Sequence, residues 1–67
     1  MSIARVTEIS ATSEKGIEDA IRQGLARAND TLRNVKSAWV KEQSVDCADG
    51  TITTFRVNMM VTFVLDD

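Results

Sequence analysis

The chain has 67 residues, 8 basic and 10 acidic, for a net charge of −2, with no histidine, no proline and one cysteine. A domain of this size buries little surface, and a lone core rarely supplies more than about 3–5 kcal/mol. The single Cys47 excludes an intrachain disulfide and reads as a reduced thiol. One Cys without a His makes a structural zinc site a poor staple, so association with further copies is the expected remedy.

In chain order, residues 2–10 read as a first strand, with Ile3, Arg5, Thr7 and Ile9 alternating against Ala4, Val6 and Glu8, so that both faces are mixed. Thr12 and Ser13 are candidate helix N-caps, and Glu14, Glu18 and Asp19 fall where a helix dipole favours acids. Ile17, Ile21, Gly24, Leu25, Ala28 and Leu32 recur at three- and four-residue steps, which predicts an amphipathic helix from about 14 to 32. The small residues Gly24 and Ala28 predict close packing of that stripe on a sheet.

Asn34 is a plausible helix terminator, and residues 35–45 read as a second strand. Asp49-Gly50 is a hairpin turn signal. Residues 51–65 form the clearest strand: Phe55, Val57, Met59, Val61, Phe63 and Leu65 share one face, against Ile52, Thr54, Arg56, Asn58, Met60, Thr62 and Val64. The fold class is α+β, in the order β-α-β-β, as a single domain over residues 1–67.

Two arguments predict self-association. A strand of 15 residues spans about 50 Å, whereas a compact globule of this length has a radius of gyration of only about 11 Å. One helix also covers only one face of a three-stranded sheet. With Ala38 and Val40 turned to the helix, Ser37, Trp39, Lys41 and Gln43 are expected on the other side, with Arg56 and Asn58. Trp39 there is either a subunit contact or a ligand platform.

Catalytic chemistry is thin. There is no His to act as a base near neutral pH, Cys47 has no His partner, and the glycines at 16, 24 and 50 form no phosphate-binding pattern, so no enzyme is expected. Asp46, Asp49 and the terminal Asp66-Asp67 are either solvated turn and terminal charges or, where copies meet, ligands for a hard cation. The charges are mixed, which argues against nucleic acid. Met1-Ser2-Ile3-Ala4-Arg5 has no signal-peptide core, and no apolar run approaches a membrane span of about 20 residues, so a soluble cytoplasmic protein is expected.

The stretches Val6-Thr7-Glu8-Ile9-Ser10-Ala11-Thr12-Ser13, Gly24-Leu25-Ala26-Arg27-Ala28, Thr31-Leu32-Arg33-Asn34-Val35, Asp49-Gly50 and Phe55-Arg56-Val57-Asn58-Met59-Met60-Val61-Thr62-Phe63-Val64-Leu65-Asp66 resemble the dodecins across nearly the whole chain. The resemblance implies a three-stranded antiparallel sheet partly wrapped around one helix. It also implies a hollow homododecamer, with flavin (riboflavin, FMN or FAD) held at subunit contacts for storage or sequestration without turnover. The alternative it implies is a structural or ion-binding cage, for example for calcium, that holds no flavin. In an ungapped match, Ser37 stands where flavin-binding dodecins carry a ring-stacking Trp, and Arg56 where they carry a flavin-contacting Gln. The sequence looks more like a second subgroup with Ala-Trp-Val-Lys-Glu-Gln on strand two. Ser37, Trp39 and Arg56 are therefore the candidate ligand-binding residues. The open alternatives for Arg56 are stacking on Trp39, or pairing with Glu42 or with Asp66 of a neighbour.

Overall fold

The alternating apolar residues of the last strand become the spine of the molecule. The computed structural model describes residues 3–65 and contains β1 (Ala4–Ser13), α1 (Ile17–Thr31), β2 (Val35–Ala48) and β3 (Thr51–Val64). The three strands form one antiparallel sheet in the order β1-β3-β2, so β3 alone has a partner on each side. The helix packs over β1 and β3. Val57, Met59 and Val61 of β3 are fully buried beneath it with Ala20, and Ile9, Ala11, Ile17 and Ile21 close around them.

The helix begins at Ile17, the first residue of its apolar stripe, and later than the expected start near residue 14. Thr12 and Ser13 cap nothing: both remain in β1, and Gly16 precedes the first turn, its carbonyl accepting from the Ala20 N–H. The buried Ser13 has another use. Its hydroxyl accepts from the Lys15 N–H at 2.9 Å and donates to Asp19 at 2.6 Å, which bends the chain from strand into helix. Asn34 adopts a left-handed conformation (φ 59°), as expected of a terminator, and its amide donates to the Val64 carbonyl. Asp49 (φ 53°) and Gly50 (φ 77°) join the paired Ala48 and Thr51. Two positive φ values in a two-residue loop give the turn whose twist suits a hairpin.

The long hairpin projects beyond the helix. The chain measures 52 × 19 × 13 Å with a radius of gyration of 13.8 Å, so it is extended rather than globular. Exposed apolar side chains follow from this shape: Trp39, Val40 and Val45 on β2, Ile52 on β3 and Val6 on β1.

Candidate functional site

The sequence-predicted residues lie on the sheet face away from α1. Residues opposite one another in a ladder share a face. Ser37 pairs with Thr62 and Trp39 with Met60, while Val57, Met59 and Val61 meet the helix on the other side. Trp39 is 53% exposed. Covering the remaining half of an indole is worth about 2 kcal/mol, from some 100 Å² of apolar area.

The pattern then changes phase. Val40 pairs with Met59 but Glu42 pairs with Asn58, so Lys41 is an extra residue in a β-bulge. Beyond it Gln43 pairs with Val57 and Val45 with Phe55, on the helix side. This corrects the expected position of Gln43, because strict alternation from Ser37 cannot survive an inserted residue. Glu42, Ser44 and Asp46 take over the outer face, beside Asn58, Arg56 and Thr54. A signal for this exists in the sequence: Val40 and Val45 are five residues apart, an odd spacing that an unbroken alternating strand cannot place on one face.

Three polar pairs follow from that register. Arg56 donates both guanidinium arms to the Asp46 carboxylate, at 3.2 and 3.1 Å. The Asn58 amide donates to Glu42 at 3.1 Å, and Lys41 reaches over β3 to Glu8 at 3.3 Å. Within the subunit, then, the partner of Arg56 is Asp46, a residue the sequence places only at a turn. Trp39 and Arg56 share the face but belong to pairs four β3 positions apart, about 13 Å. One end of the face is aromatic and apolar, and the other is polar. The Arg56–Asp46 pair is half exposed, so in isolation it contributes about 0.2–1 kcal/mol.

On the helix side, a cleft of about 480 Å³ lies between β1 and α1, floored by Ile9, Ala11, Gly24 and Ala28. It includes neither Trp39 nor Arg56. Ser37 also borders a cleft of about 370 Å³ between α1 and the start of β2, with Leu25, Ala26 and Lys36. Among the described residues no group of three or more His, Cys, Asp or Glu side chains is placed to hold a metal ion. Asp46 is engaged by Arg56, Asp49 shapes the turn, and Asp66-Asp67 lie outside the described residues. Among the described residues no helix is long and apolar enough to cross a membrane.

Residues 3–66 match the family model described as Dodecin. The chain belongs to the dodecin family. It is 34% identical over 65 residues to the dodecin of Thermus thermophilus, covering 97% of this chain and 94% of that one. A crystal structure of a point variant of the T. thermophilus protein matches with a TM-score of 0.94 at 33% identity over the whole of both chains. The dodecin of Streptomyces davaonensis is 41% identical with a TM-score of 0.93, covering 98% of this chain and 97% of that one. The structure is also similar to that of a calcium-chelating immunodominant antigen of Mycobacterium tuberculosis, calcium dodecin, at 30% identity and a TM-score of 0.82, over 97% and 93% of the two chains. The β-α-β-β fold and the family expected from the sequence are both found.

Proposed function

We propose that the protein is a cytoplasmic, non-catalytic cage, a homododecamer that stores or sequesters a small planar ligand of the flavin type at contacts between its copies. The observation that carries this reading is Trp39, a half-exposed indole on a sheet face that no element among the described residues covers. An open face offers one wall, so a planar ligand stacked on Trp39 needs its second wall from another copy. Ser37, two residues before Trp39 on the same side, replaces the stacking Trp that the resemblance assigns to its position. Its short side chain leaves Trp39 to serve as the platform, and Arg56 marks the polar end. The test is to purify and size the protein, record its visible absorption, and titrate it with flavin while following flavin fluorescence. A dodecamer that quenches flavin is expected. A full-sized assembly that quenches nothing at high micromolar flavin overturns the reading.

A second reading, an ion-binding cage without flavin, is favoured by the likeness to the calcium dodecin of M. tuberculosis. Because the described residues of one subunit hold no carboxylate cluster, such a site would combine carboxylates from different copies. It predicts a melting temperature that rises with calcium and ignores flavin.

A further inference from the structure

The outer sheet face has a charge arrangement that bears on which ligand it takes. Its register and contacts place five charged side chains there: Glu8, Lys41, Glu42, Asp46 and Arg56. Among the described residues carboxylates outnumber cations there by three to two, and each cation already has a carboxylate partner, Glu8 for Lys41 and Asp46 for Arg56. The Asp46 carboxylate fills both arms of the guanidinium fork, which is the geometry a phosphate would need. Between Trp39 and that pair lie Asn58, Glu42, Ser44 and, from β1, Ser10, groups that exchange hydrogen bonds with hydroxyls without favouring an anion, and the one cation there, Lys41, is held by Glu8.

From this we infer that the face selects an uncharged ligand, a planar aromatic body with a hydroxyl-bearing tail, and discriminates against the same molecule once its tail is phosphorylated. Asp46 sets that selectivity by neutralising Arg56. The inference rests on Trp39 being a ligand platform. A phosphate at the end of a tail running from Trp39 would arrive beside Glu42 and Asp46 and would have to displace one of them from its partner. An uncharged tail meets no such opposition.

The experiment uses the assembled protein, with riboflavin as the uncharged probe and FMN as its phosphorylated counterpart, both titrated by fluorescence quenching at low and at raised salt. Riboflavin is expected to bind more tightly than FMN, with the gap narrowing as salt screens the repulsion. Asp46→Asn, at a half-exposed position, is expected to improve the FMN-to-riboflavin affinity ratio by on the order of fivefold. Should that variant fail to assemble, Asp46→Ser makes the same test. FMN binding as tightly as riboflavin to the unaltered protein overturns the inference while leaving the platform standing, as does an affinity ratio that Asp46 variants do not move. Quenching of neither flavin overturns the platform and the inference with it.

Discussion

A β-carbon on Gly24 of α1 would stand 2.7 Å from Met59 Cε and 3.1 Å from Ala11 Cβ, so both neighbours would have to give way. The helix approaches β1 and β3 so closely because it presents a bare backbone there. Gly24→Ala therefore sets a helix-propensity gain of about 1 kcal/mol against overpacking of about 1–3 kcal/mol. A net loss near 1 kcal/mol is expected, and Gly24→Leu should cost more. Because Met59 Cε is the nearest obstacle and Ala11 Cβ the next, Met59→Ala, itself expected to cost about 2–5 kcal/mol, should make Gly24→Ala less harmful. Denaturant midpoints for the double-mutant cycle read this coupling directly, and additive effects would contradict it.

The Ser13–Asp19 hydrogen bond gives the acid response a definite sign. Asp19 is held below its ordinary value first by the Ser13 hydroxyl, against an opposing effect of burial, with Gln23, Lys15 and Arg22 adding smaller pulls downward. A carboxylate whose folded value lies below its unfolded one stabilises the fold fully above the unfolded value, near 4, and loses that contribution as pH falls through the folded one. Ser13→Ala should therefore lower the melting temperature at pH 7, with the gap to wild type narrowing below about pH 4. A gap that is constant across the acid range would show that Ser13 acts through packing and its bond from the Lys15 N–H rather than through Asp19.

At the hairpin tip, Gly50 has φ 77° and nothing within 4 Å of a built β-carbon. Any cost of Gly50→Ala is therefore conformational, about 1 kcal/mol from placing a side chain in the left-handed region. Asp49→Gly, at φ 53°, should be close to neutral by the same logic. Thermal melts of the two variants separate the turn from the rest of the sheet.

For the proposed ligand platform, Trp39→Ala should weaken flavin affinity by about fivefold or more, since stacking on an aromatic ring contributes about 1–3 kcal/mol. Trp39→Phe, which keeps a ring, should restore part of the affinity. Equal loss in both variants would mean that Trp39 serves the subunit contact instead.

Much of this architecture is legible in the sequence because β3 follows one rule throughout. Val57, Met59 and Val61 alternate toward the helix without interruption, so their burial can be read from period alone. The stripe from Ile17 to Ala28 is equally plain, although the helix start is not. Ser13 looks like a cap in sequence, yet its hydroxyl bonds across the turn to Asp19 while its backbone stays in β1. Strand two is harder to read. Its bulges reset which face each residue takes, so Trp39 falls where alternation puts it, whereas Gln43 does not. The partner of Arg56 depends on that reset and was hidden until the register was known.

The strand order has a consequence for how the chain acquires its shape. The central strand is the last of the four elements, and both edge strands hydrogen-bond to it and not to each other. As the chain is synthesised, β1, α1 and β2 all emerge before the strand that joins the two edges and completes the cover of the helix exists. The N-terminal elements cannot settle early as an independent unit, which many longer proteins achieve. The β2–β3 hairpin is local, but joining β1 to it is long-range pairing, the slow kind. Until β3 arrives, the apolar stripe of α1 has only part of its cover, from β1, and the edges of β1 and β2 stand open.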